Sequence, residues 1–544
     1  MAQTAQKFPD RRALMVNNPA DSPRIIKYSE LLDSFIKLSS VIQSKGFAPG
    51  DHIALLGPNC PEWAIAYLAI QAAGCIVVPL DANLRPVEHR HIIHHSDAKA
   101  IFLSSRYHKG LIEDGEDEFE IPHFLFDDIE GLILAEEKPL PPRYPENDEC
   151  QAVIIYTSGT TGSPKGVVLT HRNIIADIWA LPRRVEILPS DNFISVLPVH
   201  HVFEATCGFL TPLSIGCGIC YARALRGKEI LEDIQASDAT IMLGVPLLFE
   251  KFFNGITRGV REKGVIASAV FNSAMGLSRL IDSAFGGHSG KTVMNGFRNK
   301  AGFAGLRLMI SGGAAIRPDI VRFFNSFGVV CVQGYGLSET SPVITANPAE
   351  KNKAESVGPA IDGVELKILE PNSEGVGEVM AKGDPVFAQY YKNPEATREA
   401  FTEEGWFRTG DLGSIDPDGY LILKGREKNI IVTSGGKNVY PEEIEEIINQ
   451  TSYVMESLIV GVVNRNSEEP FAILVPDFDA LDEAGISTTE DNLEKLYKEV
   501  ISEVNTQIAT YKRVRNFKIQ QEEFPKTSTR KIKRYLYSGK KIEV

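Results

Sequence analysis

The sequence predicts an α/β protein of two or more domains, and three observations carry that expectation. Apolar strand-like runs alternate with stretches of helical spacing through the first hundred residues, the pattern of βαβ units and a parallel sheet. The chain has 544 residues, too many for one ordinary hydrophobic core. A loop rich in glycine and hydroxyls follows the buried run at 152–155, and open α/β sheets bind ligands beyond the carboxyl ends of their strands.

Over 28–45, Leu31, Leu32, Phe35, Leu38, Val41 and Ile42 recur at helical spacing. Residues 52–56 read as a buried strand, 62–73 as a helix and 75–80 as a strand, and 91–103 repeats the alternation. The acidic run 113–120 reads as a solvated loop. Residues 167–169 read as another strand. From 247 to 305 helix formers dominate: Phe249, Phe252, Phe253 and Ile256 share one face, and glycines at 286, 287 and 290 mark a loop. A strand is expected at 306–310, a short helix at 319–327, and strands at 329–332 and 420–423. Pro441 opens a helix whose first turn carries Glu442 and Glu443, suited to the helix dipole. Ile444, Ile447 and Ile448 form its buried face.

Composition narrows the class. There are 57 Lys+Arg against 71 Asp+Glu, a net charge of −14, which argues against nucleic acid as a general partner. Seven cysteines are scattered, and the Cys217–Cys220 pair lies in an apolar run with no second pair. Core packing is expected there rather than zinc or redox chemistry, and the usage fits a reducing cytosol. Residues 1–19 lack the apolar region of a signal peptide. The longest apolar stretches, 64–80 and 207–222, are shorter than a membrane span and interrupted by glycine and polar residues.

The loop after 152–155 is the strongest chemical signal. It reads Tyr156, Thr157, Ser158, Gly159, Thr160, Thr161, Gly162, Ser163, Pro164, Lys165, Gly166. Glycines let successive N–H groups face one point and form an anion nest. The hydroxyls add donors and Lys165 adds a mobile positive charge, so the loop suits a polyphosphate. It is not the P-loop pattern, which needs Gly-Lys-Ser/Thr opening a helix; here Gly166 and a strand follow the lysine.

This string resembles the phosphate loop of the adenylate-forming superfamily of acyl-CoA synthetases, luciferases and peptide-synthetase adenylation domains. The resemblance recurs in order at Gly334-Tyr335-Gly336-Leu337-Ser338-Glu339-Thr340, Trp406-Phe407-Arg408-Thr409-Gly410-Asp411, Lys424-Gly425-Arg426 and Pro525-Lys526-Thr527, and spans the chain from near residue 25. It implies a large N-terminal domain, 1–427, of mostly parallel sheets flanked by helices. A small mobile α+β domain, 428–544, carries a catalytic lysine, so the chain is α/β in its sheets and α+β overall.

The resemblance also implies site residues. ATP and AMP are held by Thr157, Ser158, Gly159, Thr160, Thr161, Gly162 and Lys165, by Gly313 and Ala314 against the adenine face, and by Gln333, Gly334, Tyr335, Gly336, Leu337 and Ser338, with Tyr335 stacking on adenine. Asp411 and Arg426 match the ribose contacts, and Thr157 and Glu339 match the magnesium site. His201, in Leu197-Pro198-Val199-His200-His201-Val202-Phe203-Glu204, lies beside the acyl pocket, walled by Val202, Phe203 and Gly313. That run is most similar to long-chain fatty acyl-CoA synthetases. Gly435, Gly436 and Lys437 resemble the loop lining the coenzyme A channel, and Lys428 matches the hinge. Lys531 matches the catalytic lysine, with Arg530 where the family has glycine. Taken singly, His201 would be a core histidine, a reading the ordered set of motifs reverses; Asp411 is expected in a turn after Thr409 and Gly410, where taken alone it would be an ordinary turn aspartate.

The implied reaction converts a fatty acid and MgATP to acyl-AMP and pyrophosphate, then transfers the acyl group to coenzyme A. His201, Lys165 and Lys531 are its catalytic candidates. Alternatives are a ligase loading a carrier protein's phosphopantetheine, a medium-chain or aryl acid ligase, a luciferase-like oxidation, and a nucleotide-binding module without turnover. From 511 to 544 there are 11 Lys+Arg and 3 Asp+Glu. Apart from Lys531, that tail reads as a solvated helix seeking a membrane surface, peripheral to the inner face. A homodimer is left open.

Overall fold

The computed structural model describes residues 1–18, 20–113, 120–157, 164–285, 290–433, 437–464, 467–527 and 531–537. They form two compact units, Met1–Glu365 with Ala381–Phe407, and Leu366–Met380 with Arg408–Val544. The architecture is mixed α/β, with the larger unit built on two mostly parallel sheets.

The first sheet has eight strands, in the order Thr345–Ala346, Val330–Tyr335, Leu308–Ser311, Ile241–Gly244, Asn192–Ser195, Gly218–Tyr221, Arg12–Val16 and Arg24–Lys27. The six inner strands pair in parallel, and only the two edge pairs are antiparallel. The second sheet has seven, in the order Gln389–Tyr390, Lys165–Thr170, Gln151–Thr157, Ile76–Pro79, His52–Leu56, Ala100–Leu103 and His123–Leu125. Strands such as Ala100–Leu103 and Gly218–Tyr221 are buried at every position. Parallel strands covered on both faces read as continuous apolar runs rather than as alternation.

The expected helix at 28–45 is Tyr28–Ser44, and it packs on Pro61–Ala72. Pro61–Ala72 is apolar nearly all round, with Trp63, Ala64, Ile65, Ala66 and Tyr67 all buried. Such a helix is sunk in the core rather than lying on a surface. Residues 247–305 fold into three helices, Pro246–Arg261, Val265–Phe285 and Lys291–Lys300. The acidic stretch 114–119 and residues 286–289 lie outside the described residues. Among the described residues no helix is long and apolar enough to cross a membrane. All seven cysteines are free, and Cys217 and Cys220 are buried, as core packing expects.

The smaller unit pairs Val454–Asn464 antiparallel with Ser467–Pro476, and the latter parallel with Asn516–Ile519. Side chains alternate across this sheet. Ile459, Ala472 and Leu474 join the core under the helices Pro441–Ile448 and Glu490–Gln507, while Leu458, Phe471 and Ile473 face Phe524.

Two expectations are corrected here. Asp411 is not in a turn: it lies within the strand Phe407–Ile415, opposite Arg426. Gly410, at φ +66, bends the backbone without ending the ladder, a conformation glycine takes without strain. The described residues of the basic tail form no α-helix. Its described residues form the strand Asn516–Ile519 and short 3₁₀ turns, and three of its cations are tied down. Lys512 pairs with Glu443 at 2.6 Å, Lys526 with Glu456 at 2.6 Å, and Arg534 with Glu445. The apolar spacing a helix needs is missing from the tail, so these pairs decide its path.

Candidate active site

The parallel strands Asn192–Ser195, Ile241–Gly244, Leu308–Ser311 and Val330–Tyr335 end on one edge of the eight-stranded sheet. Their exits carry 196–204, 312–315 and 336–339, where an open α/β sheet holds its ligand. Glycines permit close approach at two of these exits. A Cβ at Gly312 would meet the Phe203 ring at 2.9 Å, so the glycine turn and Phe203 pack face to face. A Cβ at Gly336 would collide with the Pro342 carbonyl. Gly313 adopts φ +83, the left-handed conformation that favours glycine. Gln333 is buried and donates to the Ala354 carbonyl at 2.7 Å.

Thr157 and Lys165, the described phosphate-loop candidates, stand opposite each other at the ends of two paired strands. Gln151–Thr157 pairs antiparallel with Lys165–Thr170, with Thr157 opposite Lys165 and Tyr156 opposite Gly166. Ser158, Gly159, Thr160, Thr161 and Gly162 lie outside the described residues. Gln389–Tyr390 adds the next strand, with Tyr390 opposite Val167. That register sets Lys165 Nζ 5.0 Å from the centre of the Tyr390 ring, a cation–π distance. The Tyr390 hydroxyl donates to Glu339 Oε1 at 2.8 Å, and the Phe387 N–H donates to the Glu339 carbonyl at 2.8 Å. Leu337 leads into the 3₁₀ turn Ser338–Thr340, closed by Thr340 Oγ1, which accepts from the Leu337 N–H at 2.8 Å. Tyr390 was not marked by any motif: its role follows from strand pairing across more than two hundred residues. Thr157 and Glu339 offer only oxygen donors, and such a set fits a hard cation such as Mg²⁺.

The acyl candidates leave the sheet at Ser195. Asn59, from the loop after His52–Leu56, spans to this segment. Its Nδ2 donates to Ser195 Oγ at 3.0 Å and to the Leu197 carbonyl at 2.6 Å, and its Oδ1 accepts from the Val199 N–H at 3.1 Å. This clamp too has no sequence signal, because its partners lie about 140 residues away. His201 is half-buried, its ring 4.3 Å from that of His200. His200 is buried, with Nε2 3.2 Å from Asp81 Oδ1 and no aligned hydrogen bond. Asp81 Oδ1 also accepts from the Asn83 N–H at 2.9 Å.

Val202 is buried and Phe203 half-buried. Phe203–Leu210 is a π-helical turn, a rare conformation enriched at functional sites. Within it Phe209 packs against Trp63 and Tyr67, with ring centres 5.9 and 5.6 Å apart. Glu204 is buried in the same turn, its Oε2 without a partner. Burial pushes its carboxyl up to about 8, opposed by a hydrogen bond with Ser195.

The smaller unit holds the remaining candidates. Asp411 Oδ1 and Arg426 Nε pair at 2.6 Å. Lys428 sits in the 3₁₀ turn Glu427–Asn429, its ammonium pushed down by burial and then by the Arg426 charge. Lys437 is exposed, and its carbonyl accepts from the Thr433 N–H at 3.0 Å. Gly435 and Gly436 lie outside the described residues, as does Arg530. Lys531 is exposed, and its backbone pairs with Thr527, whose N–H donates to the Lys531 carbonyl at 2.8 Å.

Residues 1–391 match the family model described as AMP-binding enzyme, and residues 428–538 match that of the AMP-binding enzyme C-terminal domain. The chain belongs to the AMP-binding enzyme family. It is similar to long chain acyl-CoA synthetase 1 of Arabidopsis thaliana, 31% identical over 86% of this chain and 78% of that protein. It is also similar to a long-chain-fatty-acid–CoA ligase of Mycobacterium bovis, 27% identical over 97% of this chain and 95% of that one. A sulfoacetate–CoA ligase of Cupriavidus necator is 28% identical over 85% and 84%. Among solved structures, o-succinylbenzoate CoA synthetase from Bacillus subtilis with an acyl-adenylate superposes with a TM-score of 0.79 at 21% identity, covering 99% of this chain and 97% of that one. That likeness establishes a shared fold.

Proposed function

We propose that this protein is an AMP-forming acid–coenzyme A ligase whose acid is a long-chain fatty acid. The observation that carries the reading is the series Lys165, Tyr390, Glu339, in which a loop cation, an aromatic hydroxyl and a carboxylate lie in sequential contact. In the first half-reaction a fatty carboxylate attacks the α-phosphate of ATP, and pyrophosphate leaves. Lys165 and Lys531 stabilise the charge spread over the phosphoryl oxygens. Tyr335, Gly313 and Ala314 flank the adenine, and Asp411 and Arg426 take the ribose hydroxyls. Thr157 and Glu339 would hold Mg²⁺, which when bound neutralises phosphate charge. Tyr390 orients the Glu339 carboxylate.

In the second half-reaction the coenzyme A thiolate attacks the acyl carbonyl and AMP leaves. The domain boundary at 428, Lys428 as its hinge, and the loop Gly435, Gly436 and Lys437 as the thiol's channel are part of the same proposal. The C-terminal family model also begins at residue 428. His201, Val202 and Phe203 border the acyl group beside Gly313. The long-chain assignment is supported by the run 197–204 and by two long-chain relatives. The sulfoacetate relative makes the acid the point to test. A pyrophosphate-release screen from acetate through sulfoacetate and aryl acids to long-chain fatty acids should peak at the fatty end, with coenzyme A as acceptor. Release with none of these acids refutes adenylation. Release with only a polar or aryl acid refutes the fatty assignment, and thioester formed only on a carrier protein refutes the acceptor.

A further inference from the structure

We propose that the helix Val265–Phe285, with the basic turn before it, is a docking surface for an anionic phospholipid bilayer. The helix is two-faced. At 100° per residue, Ile266, Val270, Leu277 and Leu280 fall within about 80° of arc, and all four are exposed, by 82, 55, 50 and 69%. Ser273 and Ala284 lie in the same arc, so no charge interrupts it. Phe271, Met275 and Ser278 point the other way and are buried. That inner face packs against Lys291–Lys300 and Pro318–Phe327, with Phe271 5.1 Å from Phe297 between ring centres. The exposed stripe therefore runs about 21 Å from Ile266 to Leu280, on a helix already anchored by its other side. A contiguous apolar strip of this kind marks an interaction surface, unlike a lone exposed leucine.

Charge selects the occupant. The chain carries a net −14, yet residues 246–300 hold eight Lys+Arg against three Asp+Glu. Lys251, Arg258, Arg261, Lys263, Arg279, Lys291 and Lys300 are exposed, against Glu262 as the exposed acid of this stretch. Arg261 and Lys263 sit in the turn that leads directly into Val265, itself 86% exposed. A basic border around an apolar helical stripe matches a helix lying in the plane of an anionic membrane. A second copy of this chain, acidic overall, would meet the charge but would have to cover the apolar stripe as well. The surface is independent of which acid the enzyme activates.

The test is cosedimentation of the full chain with vesicles of phosphatidylcholine alone or mixed with phosphatidylglycerol. Wild type should bind the mixed vesicles, less so as salt rises. Ile266→Asp with Leu280→Asp should weaken that binding by about tenfold or more. Arg261→Glu with Lys263→Glu should weaken it by about fivefold or more per charge, on the anionic vesicles only. Neither pair should change pyrophosphate release with a water-soluble acid or the melting temperature. If the aspartates unfold the chain, Ile266→Ser with Leu280→Ser takes their place. Absence of wild-type binding overturns the proposal, as does binding unchanged in both variants. A dimer that Ile266→Asp dissociates while vesicle binding persists also overturns it.

Discussion

The Tyr390 hydroxyl donates to Glu339 Oε1 at 2.8 Å, and the face of the same ring stands 5.0 Å from Lys165 Nζ. One tyrosine thus spaces the loop's cation from the carboxylate assigned to Mg²⁺. Glu339→Gln keeps the size and removes the charge, so pyrophosphate release should fall steeply at unchanged melting temperature. Tyr390→Phe removes one hydrogen bond, about 1.5 to 3 kcal/mol when the acceptor is charged. It should cost roughly tenfold to 150-fold in kcat/KM and raise the Mg²⁺ concentration needed for half-maximal rate. Normal Mg²⁺ dependence in both variants would remove Glu339 from the metal site.

Chain length is the measure of the acyl pocket. Each methylene buried is worth roughly 0.8 kcal/mol, so two or three further carbons should raise kcat/KM by roughly tenfold to fiftyfold until the pocket is filled. A flat profile across the fatty acids would contradict a long apolar channel beside Phe203 while leaving adenylation in place.

Lys531 and Gly436 separate the half-reactions. Lys531→Ala should lose about 3 kcal/mol or more of transition-state stabilisation in adenylate formation. Thioester formation from synthetic acyl-AMP should persist, because the lysine is assigned to the first step alone. Gly436→Leu should do the reverse, forming acyl-AMP and failing with coenzyme A. Equal loss of both steps in Lys531→Ala would rule out a division of labour between two domain positions.

Glu204 makes stability depend on pH with a definite sign. Its carboxyl is raised from 4.5 to about 8 in the folded chain, so between those values the folded state holds a proton that the unfolded state has released. Its contribution is complete below pH 4.5, falls as pH rises, and is gone above about 8. Buried Asp177, also raised by desolvation, adds in the same direction. Glu204→Gln should flatten part of that decline and gain on the order of 4 kcal/mol at pH 8 relative to wild type. Urea denaturation from pH 5 to 9 measures it, and an unchanged slope would mean that Glu204 is ionised in the folded chain.

The sequence by itself determined the local elements and the order of the motifs. His52–Leu56 and Tyr28–Ser44 were legible because burial on both faces leaves continuous apolar runs, and burial on one face leaves helical spacing. The strands that hold Thr157 and Lys165 were legible because each carries an apolar run, whereas their antiparallel pairing was not. Tertiary structure alone decided what distant segments do to one another. Tyr390 reaches Glu339 only because Gln389–Tyr390 pairs with Lys165–Thr170, and Asn59 clamps 195–199 from the other sheet. The ion pairs of the basic tail and the strand around Asp411 are of the same kind. Periodicity records the environment of a residue averaged along its own element. A single hydrogen bond or ion pair between elements depends on where the chain returns in space, and it leaves no periodic trace in either segment.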